Sequence, residues 1–100
     1  MANKLKVSPR ARRNIDSIIS YIARDNPVKA DEINVKIEKV LRKLTANPML
    51  GRNLETQLGR PTRLRIFVVT PNYLVIYFVR GEMVHISRVV HAKQNWLENL

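Results

Sequence analysis

The residue types best suited to chemistry lie in one short stretch, Arg88, His91 and Lys93, at the end of an apolar run. An imidazole titrates near neutral pH and can carry a proton, while guanidinium and ammonium groups hold a phosphate or a carboxylate. Together they form a candidate anion site with a candidate proton carrier beside it. Each also has an ordinary structural reading. A histidine at a strand end commonly satisfies a backbone hydrogen bond, and an arginine between apolar neighbours can carry its head group past the core to water. His85, inside an alternating stretch, is read as structural. No spacing of His, Asp and Glu makes a metal site, the chain has no cysteine, and no glycine-rich loop is present to cradle phosphate. No catalytic carboxylate pair is found, and neither a metal nor another cofactor is expected.

These residues need a scaffold, and the composition bounds it. One hundred residues with 45% hydrophobic content suit one domain spanning residues 1–100 with a single core. The formal charge is +10, with eighteen Lys and Arg against eight Asp and Glu. An anionic partner is expected, and both nucleic acid and an acidic protein segment fit that charge. The absence of cysteine fits a reducing compartment. No stretch reads as a signal sequence or approaches the ~18 to 20 apolar residues of a membrane span. A cytoplasmic protein without membrane contact is the expectation.

Leu5-Lys6-Val7 alternates and precedes Ser8-Pro9, a helix-start signal in which Ser8 accepts from first-turn amides and Pro9 takes the first helical position. The first helix then buries a stripe of Ile15, Ile18, Ile19 and Ile22. Asp25-Asn26-Pro27 repeats the signal, and Ala30, Ile33, Ile37, Val40, Leu41 and Leu44 form the stripe of a second helix ending at Asn47-Pro48. Asp31 and Glu32 are expected in its early turns and Glu38 is expected to pair with Arg42. Residues 47 to 61 read as irregular. Leu64, Ile66 and Val68 then alternate with Arg63, Arg65 and Phe67, predicting a strand with one buried face and one partly basic face. Pro71-Asn72 leads into Tyr73–Val79, apolar throughout and therefore central and covered on both sides, and Gly81 turns it into a final strand over Met83–Val90. The predicted fold is α+β: a short first strand, a helical hairpin, and a three-stranded antiparallel meander with the helices on one face. The tail from Gln94 to Leu100 reads as a helical turn or docked arm anchored by Trp96.

The helix from Ala11 to Tyr21-Ile22, then Asn47-Pro48, Gly51-Arg52, Arg63, the Tyr73–Val79 strand and Arg88-Val89-Val90-His91 follow one another in an order that resembles the ParE-type toxins of the RelE/ParE superfamily. These are plasmid and chromosomal stabilisation proteins encoded beside an antitoxin. The resemblance implies the same fold and a non-enzymatic toxin that inhibits DNA gyrase and blocks replication. It also implies neutralisation by a cognate antitoxin with an acidic carboxy-terminal segment, and no sequence-specific DNA recognition. On this reading Arg88, His91, Lys93 and Trp96 are the target-binding residues. Arg63, Arg65, Phe67, Tyr21 and Arg13 are the antitoxin-binding ones. Beyond His91 the family continues with a small residue, two basic residues and an acid, whereas Ala92-Lys93-Gln94-Asn95 keeps only Lys93 of the basic pair.

RelE-type members cut messenger RNA on the ribosome and make the rival reading, in which Arg88, His91 and Lys93 become the catalytic candidates. Cleavage through a 2′-hydroxyl needs a base, cations for the phosphorane and a donor for the leaving oxygen. Where RelE-type toxins place an arginine at the second strand's end, another after the last strand and a late tyrosine, this chain has Val68-Val69, Lys93 and no tyrosine after Tyr77. A non-toxic binding module is the third reading.

Overall fold

The computed structural model describes residues 3–100. The first helix, α1 (Pro9–Ala23), starts as its residues dictate. Ser8 keeps an extended backbone and its hydroxyl accepts from the Ala11 amide at 3.0 Å, with Pro9 next in the chain. The same hydroxyl donates to the Ser87 carbonyl at 2.9 Å, so one serine caps the helix and ties it to the last strand. The amides of Asp25 and Asn26 both donate to the Ile22 carbonyl, and Asn26 accepts from the Lys29 amide to open α2 (Pro27–Ala46). All six residues of the second stripe are buried, as are Ala11 and Ile15 of the first, with Ile18, Ile19 and Ile22 packed partly buried against them. Burying one such aliphatic side chain is worth roughly 1.5–3 kcal/mol, so the hairpin is held chiefly by its apolar face.

Asp31 and Glu32 lie in the second turn of α2, early as expected, although its first turn has no acidic residue; Glu32 meets Lys29 at 4.0 Å. One charge expectation is corrected. Glu38 reaches across the hairpin to Arg12 at 3.7 Å, where the packed helices bring that guanidinium closer than Arg42 on its own helix.

The sheet contains β1 (Lys4–Val7), β2 (Arg52–Asn53), β3 (Arg65–Thr70), β4 (Tyr73–Arg80) and β5 (Met83–His91) in the spatial order β1-β5-β4-β3-β2. The predicted meander is β3–β4–β5, and the sheet is wider than expected. β1 joins β5 in parallel, Lys4 opposite Met83 through Val7 opposite Ile86. The segment read as irregular supplies β2 and a one-turn helix, α3 (Glu55–Leu58), closed by Gly59 at φ 68°.

β4 lies at the centre and is covered on both faces. Val75 and Tyr77 join the helices, Val84, Ile86 and Val89 in the main core, while Leu74 and Ile76 join Leu54, Ile66 and Val90 in a second core on the opposite face. Leu58, Leu64, Trp96 and Leu100 pack over that second core, and Trp96 stands in a 3-10 turn, Trp96–Asn99, so the tail docks as expected. Val68 departs from its predicted burial and is 56% exposed. The cover of the second core does not include it.

Candidate functional site

The register of β4 and β5 decides how the carboxy-terminal candidates stand. Tyr77 pairs with Ile86 and Ile76 pairs with Arg88, so a bulge leaves Ser87 without an opposite number. Cross-strand partners share a face. Arg88 therefore lies on the side of Ile76 and the second core, whereas His91, opposite Tyr73, lies on the helix side. The sheet stands between them, and the expected cluster is not assembled around one point. Burial, and then the positive charge of Arg10, lowers the pKa of Arg88 below the ordinary arginine range.

His91 meets the Tyr73 ring edge-on, with centroids 5.2 Å apart and planes at 80°. Its Nδ1 accepts from the Lys93 amide at 3.0 Å, which leaves the proton of the neutral ring on Nε2. Its own amide donates to Gln94 Oε1 at 2.9 Å, and the Gln94 amide donates back to the His91 carbonyl. The histidine thus closes the turn after β5, which is the structural role weighed for it. Lys93 is exposed. Trp96 is half-buried over the second core, and Asn95 Nδ2 donates to Glu98 Oε2 at 2.8 Å to fix its turn.

A groove of about 410 Å³ runs between α1 and the end of β4 and β5, with Asn14, Ser17, Tyr21, Tyr73, His91 and Gln94 on its walls. Asn14 Oδ1 accepts from the Val89 amide at 3.1 Å and pins the helix to the strand there. Tyr21 is 69% exposed, and exposed Arg13 lies two turns earlier on the same side of α1 through Ser17. The fold therefore brings Tyr21, from the first quarter of the chain, beside His91, from the last.

Arg63 and Arg65 do not share a face, because β3 begins only at Arg65. Arg65 pairs with Tyr77 on the helix side and donates to the Gly51 carbonyl. Arg63 is exposed, with its guanidinium 5.7 Å from the centre of the Phe78 ring. Phe67 is half-buried against the main core. Alternation distinguishes two faces of a strand but does not say which one the helices cover.

Two arrangements went unread in the sequence. Tyr77 accepts from the Gly51 amide and donates to the Pro48 carbonyl, holding the loop after α2 onto the sheet; a tyrosine inside an apolar strand was its only signal. Burial raises the pKa of this phenol, against smaller lowering by the Gly51 hydrogen bond and the charge of Arg65. Phe78 and His85 stack at 4.7 Å and 6°. The two-residue turn at Gly81 and Glu82 sets Phe78 opposite His85, so that pairing was available from hairpin arithmetic.

Among the described residues no cluster of His, Cys, Asp and Glu can hold a metal ion. No helix of the described residues is long and apolar enough to cross a membrane. The family model of the ParE toxin of the type II toxin-antitoxin system parDE matches residues 5–96, from within β1 to Trp96. The chain belongs to the ParE toxin family. Two relatives from Caulobacter vibrioides bear the names Toxin RelE2 and Toxin RelE1. The first is 32% identical over 83 residues, covering 83% of this chain and 88% of its own length. The second is 30% identical over 87 residues, covering 86% and 89%. The chromosomal ParDE toxin-antitoxin system of P. aeruginosa contains a chain of the same fold, with TM-score 0.76, 21% identity and coverage of 92% of this chain and 98% of that one. The YoeB dimer of Staphylococcus aureus shares the fold more distantly, with TM-score 0.58, 16% identity and coverage of 88% and 94%. For a ParE-family toxin the groove between α1 and the sheet end is the place where candidates of both kinds, His91 and Tyr21, meet.

Proposed function

We propose that this ParE-family toxin acts in the cytoplasm by inhibiting DNA gyrase, without catalysis, and that direct binding of a cognate antitoxin neutralises it. The observation that carries the non-enzymatic reading is the placement of Arg88 and His91 on opposite faces of the sheet. A phosphoryl-transfer site needs its base and cations within reach of the same few atoms. The Lys93 amide also occupies His91 Nδ1, which limits the ring to Nε2.

His91 on the helix side, Lys93 in the turn after β5, and Arg88 and Trp96 on the opposite face are assigned to a target surface that wraps around the end of β5. The antitoxin contributes an acidic, amphipathic carboxy-terminal segment that folds on binding. It pairs with Arg13 and covers Tyr21, then reaches the β3 edge, meeting Arg65 and Phe67 from the helix side and Arg63 from the other face. Because Tyr21 and His91 line one groove, an antitoxin seated on Tyr21 excludes the target from His91. Neutralisation is then competition for a shared groove.

The names of the two Caulobacter vibrioides relatives favour a second reading, a ribosome-dependent messenger RNA endonuclease of the RelE type. Pulse labelling with thymidine and methionine in the first minutes after inducing the toxin without antitoxin separates the two. An early fall in thymidine incorporation alone supports gyrase. An early fall in methionine incorporation overturns that reading in favour of the ribosome.

A further inference from the structure

Among the described residues no strand contains a carboxylate. All eight Asp and Glu lie in helices, turns or the tail, while the strands carry Lys4, Lys6, Arg52, Arg65, Arg80 and Arg88. The register gathers much of this charge at one place. Lys4 lies opposite Met83, which lies opposite Arg80; Lys6 lies opposite His85, which lies opposite Phe78. These two rows run side by side on the face away from the helices, since Leu5 and Val7 pair with Val84 and Ile86 of the helix-side core. Arg63 completes the second row, 5.7 Å from the Phe78 ring, and Arg80 is 5.9 Å from the same ring. Lys4, Lys6, Arg63 and Arg80 are all exposed.

The stacked rings of Phe78 and His85 orient this charge. A guanidinium held over an aromatic face gives up part of its rotamer freedom before any ligand arrives and still presents its N–H edge to solvent. Four exposed cations on one face repel each other, and neither Arg12–Glu38 nor Lys29–Glu32, the ion pairs among the described residues, involves them. Neighbouring strands lie ~4.8 Å apart and each row crosses β1, β5 and β4, so the cations span a strip long enough for more than one phosphate of an extended chain.

We propose that this end of the sheet face opposite the α1–α2 hairpin is a sequence-independent site for the phosphodiester backbone of nucleic acid. It lies at the opposite end of β5 from His91 and goes beyond the toxin reading, on which it does not depend. A nucleic acid fits better than an amphipathic protein segment because the strip offers charge with little apolar surface. Phe78 and Met83 are half-buried between the cations, whereas the broadly exposed apolar side chains Tyr21, Val28, Val35 and Val68 lie elsewhere.

The test is fluorescence anisotropy of the full-length protein with a labelled oligothymidylate and a labelled duplex, titrated from about 50 to 200 mM salt. The double variant Arg63→Ala/Arg80→Ala is compared with Lys36→Ala/Lys39→Ala on the outer side of α2, which loses the same charge. Loss of two phosphate contacts should lower the slope of log K against log salt by about 1.4 to 1.8 and weaken binding about tenfold or more, while the α2 pair changes the slope little. Equal losses for the two pairs would mean that net charge alone binds and would overturn the site. So would failure of the wild type to bind at the lowest salt, or displacement of the oligonucleotide by a polyglutamate of equal charge at lower concentration. Unchanged melting temperatures for both variants show that the fold is intact. No DNA binding by the wild type beside growth arrest on its induction would sink this site and leave the toxin reading standing.

Discussion

The Gly51 amide donates to the Tyr77 hydroxyl at 2.7 Å, and a Cβ built at Gly51 would stand 2.5 Å from that oxygen. One contact therefore fixes both residues: the phenol needs the amide, and the closeness of the amide admits no side chain. Tyr77 is completely buried, and its own proton goes to the Pro48 carbonyl at 2.7 Å. Tyr77→Phe leaves an amide and a carbonyl without their partner, and urea unfolding should show a loss of about 1–3 kcal/mol.

The raised pKa of Tyr77 gives this contact a pH signature. The folded protein holds the phenol proton more tightly than the unfolded chain, so the contribution is complete below the ordinary tyrosine value of about 10 and declines as pH rises through it. The difference in stability between the wild type and Tyr77→Phe should accordingly be constant from neutral pH to about pH 9 and shrink above it. A difference that grows with alkalinity would contradict the burial-dominated reading.

Gly51→Ala should destabilise by about 1–3 kcal/mol through overpacking. Combining it with Tyr77→Phe should not rescue it, because the Ile66 carbonyl at 2.8 Å and a Tyr77 ring carbon at 2.6 Å remain in the way. Recovery in the double variant would assign the clash to the hydroxyl alone.

Ser8 serves two bonds, and its replacement separates a cap from a tether. Ser8→Ala loses the Ala11 amide and the Ser87 carbonyl together and should cost about 1–2 kcal/mol. Ser8→Gly, which preserves most capping preference, should keep less than half of that loss if the cap dominates. Equal losses would place the weight on the tether to β5.

Arg12 and Glu38 are respectively 52% and 40% exposed at the side chain and 3.7 Å apart. A double-mutant cycle should return about 0.2–1 kcal/mol, fading with added salt. Ile37→Ala, at a fully buried position of α2, should cost about 2–5 kcal/mol with little salt dependence. The contrast measures how far the helical hairpin relies on packing rather than charge.

The helices were legible because their signals are local: Ser8-Pro9 and Asn26-Pro27 cap, and the aliphatic stripes repeat at 3.6 residues. The unbroken apolar run of Tyr73–Val79 likewise announced a strand covered on both faces. What local patterns cannot carry is a partner far along the chain, so β1 beside β5 went unread, and a two-residue β2 is too short to show a period. The Arg88, His91 and Lys93 grouping mistook nearness in sequence for nearness in space. Residues three apart in a strand face opposite ways, so the pleat itself argued against joining Arg88 to His91. Tyr21 beside His91 is a tertiary fact without a local signature.

The parallel pairing of β1 with β5 also governs the order of assembly. The helical hairpin and the β3–β4–β5 meander close over short loops, but the Ser8 to Ser87 bond spans 79 residues. Loop-closure entropy rises with the logarithm of that length, and distant contacts form late in small proteins. β1 is thus the element to dock after the rest has condensed, and Leu5→Ala should accelerate unfolding while leaving the folding rate nearly unchanged in stopped-flow measurements. The toxin's first strand acts as a latch, setting how long the finished molecule lasts more than how quickly it is made.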